Sequence, residues 1–213
     1  MKSYQIHLIR HGITDGNLAG QYIGSTDLSL CQAGKDELRA LTDRFEYPAA
    51  EAYFVSPMKR CVETLDIIYP EAKGIAIDGL RECDFGAFEG MTAAELQQSK
   101  SFAEWMAADA DTAPPNGESG RHFSERVCNT FELVVNGLMK TGVTSSVIVT
   151  HGGVISMLMA IYGLPKASPT EWATEPGHGY SVRIHPQLWM SGKVVEVYER
   201  IPGRKKRRID DDE

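Results

Sequence analysis

Twice along this chain a short apolar run gives way, across a turn of glycine, histidine, serine or proline, to apolar residues at helical spacing. Residues 146–150 are β-branched for most of their length, His151-Gly152-Gly153 interrupts them, and residues 154–162 are apolar at helical density. Residues 52–55 are likewise apolar. Ser56-Pro57 then reads as an N-cap with proline at the first helical position, ahead of a helix carrying Cys61, Leu65 and Ile68. Strands that turn directly into helices pack as a parallel sheet covered on both faces. The expected fold is therefore α/β, a three-layer α/β/α sandwich with a mostly parallel central sheet.

The remaining segments fit that architecture. Residues 4–9 alternate and then become apolar up to Gly12, as a first strand followed by a loop. A helix is expected from about residue 31 to 44, with Ala33, Leu38 and Leu41 on one side, and a third strand over 74–77. Thr92 with Glu95 and Ser101 with Glu104 have capping-box spacing, which predicts two short helices between about 92 and 108. A polar loop follows over 109–117. Phe123, Val127, Phe131, Val135 and Leu138 then mark a long helix that Gly142 is placed to end. Residues 180–184 and 193–198 alternate around Pro186 and Gly192, as in a terminal hairpin. A length of 213 residues suits one domain over 1–203, with a helical lid insertion at about 91–117 and a charged tail at 204–213.

Charge narrows the partners. Lys and Arg number 22 against 29 Asp and Glu, and a net charge of −7 works against binding nucleic acid or an anionic membrane. The tail carries five cations followed by four anions, so its charges largely cancel. Residues 1–10 lack the continuous apolar core of a signal peptide, and the most apolar stretch, 147–164, is broken by Thr150, His151, Gly152 and Gly153. Cys31, Cys61, Cys83 and Cys128 contain no C-x-x-C pair. They read as free thiols of a cytoplasmic protein.

In open α/β sheets the ligand site lies beyond the carboxyl ends of the strands. Arg10-His11-Gly12, with Thr14 and Asn17, follows the first strand; Arg60 lies one turn into the helix after the second; His151-Gly152-Gly153 follows a later one. Two arginines, two histidines and two helix N-termini would meet at one sheet edge. Guanidinium forks and free backbone N–H groups suit a tetrahedral anion. A metal site on His11 and His151 is the rival, but two neighbouring guanidiniums would repel a cation.

Arg10-His11-Gly12-Ile13-Thr14-Asp15-Gly16-Asn17 resembles the R-H-G-x-T-x-x-N signature of the histidine phosphatase superfamily, the phosphoglycerate mutase-like proteins. Four further blocks resemble that family in the same order. They are Ser56-Pro57-Met58-Lys59-Arg60 with Thr64, the stretch from Leu80 to Gly90, Gly117-Glu118-Ser119 followed by Arg126-Val127, and Val149-Thr150-His151-Gly152-Gly153. Together they cover about residues 4–155.

The resemblance implies a phosphohistidine mechanism with no cofactor and no metal. His11 would be the nucleophile. Arg10, Arg60 and His151 would surround the phosphoryl oxygens, with Asn17 and the Gly152 amide as further donors, and Glu82 would be the general acid and base. Glu89 is an alternative acid, although the family pattern places it in a structural turn. Ile13, Gly16, Cys31 and Phe88 depart from the pattern without removing a reacting group.

The expected activity is a phosphomonoesterase of the α-ribazole or broad-specificity phosphatase kind, acting on a small phosphorylated metabolite. The rivals are a cofactor-dependent phosphoglycerate mutase and a non-catalytic binding relative. Specificity is expected in residues 91–117 and the terminal hairpin. Between Glu82 and Gly117, Lys100 is the sole cation among Asp84, Glu89, Glu95, Glu104, Asp109 and Asp111, so an acidic rim is expected to repel bisphosphorylated ligands. His178 could line the pocket's far wall, Arg81 and Arg121 could reach its mouth, and the apolar hairpin could pair with a second copy in a homodimer.

Overall fold

The computed structural model describes residues 2–205. At its centre a seven-stranded sheet runs in the order β4 (Gly74–Ala76), β3 (Ala52–Val55), β5 (Ser145–Thr150), β1 (Tyr4–Arg10), β7 (Gly179–Ile184), β8 (Val195–Ile201), β6 (Gly163–Leu164). β1 pairs in parallel with β5, β5 with β3, and β3 with β4, whereas β7 runs antiparallel to both β1 and β8. The sheet is thus mostly parallel, as expected.

Strand alternation divides the core in two. Ile6 and Leu8 of β1 and Ile148 of β5 face α6 (Gly120–Thr141) and α7 (Gly152–Tyr162), packing with Phe131, Val135, Ile155 and Leu158. Ile9, Val147, Val149 and Val55 face the other way, onto α2 (Gln32–Arg44) and α3 (Lys59–Ile68), against Leu38, Cys61 and Leu65. These are the three layers. Because β1, β3 and β5 are parallel and central, Arg10, Ser56 and His151 emerge from the same sheet edge. Gly142 ends α6 at φ 79°, a left-handed conformation open to glycine.

Four local expectations change. Met58, not Ser56, is the N-cap residue of α3, so the helix starts two positions later than the Ser-Pro signal predicts. The Ser56 hydroxyl is instead taken by His151 Nε2 at 2.8 Å. Thr92 does cap α4 (Ala93–Leu96) through a capping box, but α5 (Lys100–Ala107) is capped by Ser99, while Glu104 pairs with Lys100 at 3.3 Å. The terminal hairpin is no tight turn: α8 (Pro186–Gly192), entered through its proline, joins β7 to β8. Arg204 and Lys205, assigned by sequence to the tail, form β9 (Arg204–Lys205) against β2 (Phe45–Glu46); the rest of the expected tail, 206–213, lies outside the described residues.

No helix among the described residues is long and apolar enough to cross a membrane. Cys31, Cys61, Cys83 and Cys128 are free thiols.

Candidate active site

The end of β1 delivers Arg10 and His11, which the backbone holds by bonds from Arg10 N to His178 O and from His11 N to Thr150 O, both 2.9 Å. His11 is 5% exposed, and its Nδ1 lies 2.6 Å from Gly12 O. A carbonyl oxygen can only accept, so Nδ1 carries the proton and Nε2 presents a lone pair. Burial first, then the Arg60 charge, push the His11 pKa down to about 3, so the ring is neutral at physiological pH. Gly12 N in turn donates to Thr64 Oγ1 at 2.9 Å, tying this turn to α3.

Arg60 is fully buried. Its Nη1 and Nη2 each donate to a carbonyl at 2.8 Å, Thr26 O and Gly24 O, and Nε donates to His151 Nδ1 at 3.3 Å. His151 Nδ1 is therefore the acceptor nitrogen, and Nε2–H points to Ser56 Oγ. Burial and the positive charges of Arg60 and Arg10 hold His151 well below the ordinary histidine range. The two imidazoles stand edge to face, 5.3 Å between centroids.

α7 begins at Gly152, and the side chain of its N-cap residue, His151, does not cap it. Its first N–H groups have no intrahelical acceptors. Gly153 N donates to Glu82 Oε2 at 2.9 Å, and Cys83 N to Glu82 Oε1 at 3.1 Å. A Cβ on Gly153 would stand 2.5 Å from Glu82 Oε1, so a side chain there would displace the carboxylate. Burial raises the Glu82 pKa; the two N–H donors and the charges of Arg60 and Arg10 oppose the shift without cancelling it.

Arg10 Nη1 reaches Thr174 O at 2.5 Å, while its Nε is buried without a protein partner. Asn17 Oδ1 accepts from Thr14 N and Thr14 Oγ1 at 3.1 and 3.0 Å, which leaves the Asn17 amide nitrogen as donor. Arg10, Asn17 and Glu82 line one cleft of about 570 Å³. The structure thus assembles His11, Arg10, Arg60, Glu82, His151 and Gly152 at one sheet edge, with Asn17 on the cleft wall. Among the described residues no group of three or more His, Cys, Asp or Glu side chains could hold a metal ion.

Two residues of the motif blocks, Glu89 and Arg126, hold the site's segments in place. The Glu89 carboxylate accepts from four backbone N–H groups, Gly24, Ser25 and Thr26 on one segment and Phe85 on another, at distances of 2.9–3.2 Å. It therefore shapes the loop whose carbonyls grip Arg60. Arg126 forms a two-pronged pair with Glu118 at 2.7 and 2.9 Å and donates to Gly79 O, Arg81 O and Glu82 O at 3.0–3.3 Å. That clamp accounts for the fourth motif block and fixes the chain carrying Glu82.

The carboxylates expected at an acidic rim do not line the cleft. Glu89 is occupied as described, Asp84 accepts from Ser25 Oγ and Gly86 N, Glu95 caps α4, Glu104 pairs with Lys100, Asp109 holds a turn, and Asp111 pairs with Arg121. None of the six lines it, and neither does any residue of 91–117. Arg81 instead lines an adjoining cleft of about 400 Å³ on the other side of Glu82, and Pro176, not His178, contributes to the far wall. His7 lies within β1, bonded through Nδ1 to Ser181 Oγ at 2.9 Å.

This α/β sandwich converges two neutral histidines, two arginines, a carboxylate and a helix N-terminus on one sheet edge. The family model described as "Histidine phosphatase superfamily (branch 1)" matches residues 6–195. The chain is an enzyme of that superfamily. It is 32% identical over 158 residues to a probable phosphatase of Schizosaccharomyces pombe, covering 72% of this chain and 71% of the relative. It is 27% identical over 180 residues to the adenosylcobalamin/alpha-ribazole phosphatase of Salmonella typhimurium, covering 81% and 87%. A 2,3-bisphosphoglycerate-dependent phosphoglycerate mutase of Cytophaga hutchinsonii matches at 27% over 173 residues, covering 78% and 79%.

Proposed function

We propose that this protein is a metal-independent phosphomonoesterase that hydrolyses a small phosphorylated metabolite through a phosphohistidine on His11. The observation that carries the reading is the state of the His11 ring. Its Nδ1–H is committed to Gly12 O, and Nε2 is an unprotonated nucleophile held in the field of Arg60 and Arg10.

In the first step the Nε2 lone pair forms the P–N bond as the bond from phosphorus to the ester oxygen breaks, and Glu82 gives that oxygen its proton. Water then attacks phosphorus, Glu82 takes back a proton, the P–N bond breaks and inorganic phosphate leaves. Arg10, Arg60, the Asn17 amide and the Gly152 N–H match the charge on the transferring oxygens. His151 adds its Nε2–H, which at rest goes to Ser56 Oγ.

Water is favoured over a second metabolite as acceptor because, among the described residues, Arg10 is the sole cation lining the cleft, whereas a bisphosphorylated ligand needs several. An α-ribazole phosphate, the substrate type in the Salmonella relative's name, carries one phosphate on a neutral remainder and suits this lining. The four free thiols accord with a cytoplasmic setting.

The test is brief incubation with 32P-labelled phosphate ester in excess chelator. An acid-labile, base-stable adduct on His11 together with phosphate release is expected. Activity lost in chelator and restored by a divalent metal would overturn the metal-independent reading. Isomerisation of 3-phosphoglycerate with 2,3-bisphosphoglycerate faster than phosphate release would favour the mutase.

Glu82→Gln should slow turnover about a hundredfold or more for alkyl phosphates and least for p-nitrophenyl phosphate, whose leaving group needs no proton. Because the raised pKa keeps Glu82 protonated at low pH, wild-type alkyl ester hydrolysis should fall as pH rises through that pKa. The variant should lose this alkaline limb. Equal losses on both esters would indicate a structural role.

Glu89→Gln turns one acceptor oxygen into a donor that faces backbone N–H groups. It should lower kcat/KM about tenfold or more through a misplaced Arg60. Steady-state kinetics on p-nitrophenyl phosphate, with thermal melting to score folding, checks this.

A further inference from the structure

The 570 Å³ cleft has a polar end and an apolar body. Beyond Arg10, Asn17 and Glu82 its wall is formed chiefly by Ile13, Leu18, Tyr22, Ile23, Phe85 and Pro176. Gln21 and the Tyr22 hydroxyl are the other polar groups on it, and among the described residues no Lys or second Arg lines it.

The aromatic part is braced from behind. Tyr22 meets Phe85 edge to face at 5.2 Å and Phe102 of α5 at 5.7 Å. Phe85 meets Trp105 at 6.5 Å, and Phe102, Trp105 and Phe88 contact one another at 5.3–5.6 Å. Such a chain of edge-to-face and tilted ring pairs holds the two cleft-facing rings in place. It also defines what the short helical segment does: α5 supplies the backing of the wall, while Tyr22 and its neighbours supply the surface.

Against this surface a ligand's distal carboxylate or second phosphate would lose water and gain no cation. A planar apolar group would lose only unfavourable hydration. We propose that this wall selects phosphate monoesters whose leaving group carries a neutral aromatic ring, seated against Tyr22 and Phe85 with its phosphate at Arg10. The proposal rests on the phosphatase reading for the orientation of the ester.

Binding and turnover separate the two readings. Benzylphosphonate and ethylphosphonate cannot be hydrolysed, and calorimetry with the full chain reads the wall without turnover. Benzylphosphonate should bind about tenfold tighter or more, and Tyr22→Ala or Phe85→Leu should bring the ratio toward one, while Tyr22→Phe keeps it. In kinetics, benzyl phosphate should exceed glycerol 1-phosphate in kcat/KM by a similar factor, expressed mainly in KM, because both release a primary alkoxide.

Equal affinity for the two phosphonates, or a ratio untouched by Tyr22→Ala and Phe85→Leu, would overturn the aromatic selection even if every ester is hydrolysed. A benzyl preference in binding with no phosphate released from any ester, p-nitrophenyl phosphate included, would leave the wall's selectivity standing and sink the phosphatase reading.

Discussion

His11→Ala should abolish turnover, with kcat falling by roughly four to six orders of magnitude. The imidazole is the single neutral nitrogen nucleophile whose lone pair is left free at the sheet edge; His151 has both ring nitrogens engaged by Arg60 and Ser56 and stands 5.3 Å away, ring to ring. Each tenfold loss is worth about 1.4 kcal/mol of barrier, so such a drop is the scale of removing a covalent path altogether. The variant should still fold, because the residue contributes one local bond to Gly12 O and its removal relieves the cost of burying a ring beside two cations. It should also fail to take up label from a phosphate ester. Near-normal turnover, or an undiminished phosphohistidine signal, would mean that another residue is the nucleophile.

Arg60→Lys should cost at least a hundredfold in kcat/KM although it keeps the charge. A guanidinium can hold Gly24 O, Thr26 O and His151 Nδ1 with three nitrogens and still offer N–H groups to a phosphoryl oxygen. An ammonium has three hydrogens at one point and cannot span those acceptors. Loss of one preorganised donor commonly costs about 10²–10³ in rate, and here the loop at Gly24 and the orientation of His151 would be released with it. Arg60→Ala should in addition lower stability by about 3 kcal/mol or more, since it leaves buried acceptors unpaired and a void in place of a fully buried side chain. Kinetics on one ester series and denaturant unfolding of both variants give the comparison. An Arg60→Lys enzyme within tenfold of wild type would remove Arg60 from the proposed phosphoryl cradle.

Several features are legible in the sequence itself. The strand–turn–helix units at 52–68 and 146–162 imposed a parallel sheet, and a parallel sheet brings Arg10, Arg60 and His151 to one edge whatever the details of packing. Hydrophobic periodicity located α6 and its glycine stop to within a few residues. Local chemistry was less reliable where two caps compete: Ser99 and Ser101 both suit a helix start, and the backbone at Ser99 decides. Ser56 was misread as a cap because its tertiary partner, His151, lies 95 residues away.

By residue type, the strand-end Arg10-His11 pair, Arg60 after Ser-Pro and the His151-Gly152-Gly153 helix start point to an anion site, while a role for Glu82 comes from the resemblance to the histidine phosphatases. What tertiary structure decided is direction and company. The His11 tautomer depends on the carbonyl of the next residue turning toward Nδ1. Glu89 becomes a buttress because three amides at Gly24–Thr26, more than 60 positions earlier, fold onto it. The cleft wall comes from the segment holding Leu18, Tyr22 and Ile23 rather than from the acidic stretch near 91–117, whose carboxylates are consumed by caps, turns and ion pairs. Side-chain identity is carried by each position separately, whereas hydrogen-bond direction and the lining of a cleft arise only when distant segments pack, so sequence reads the first and is silent on the second.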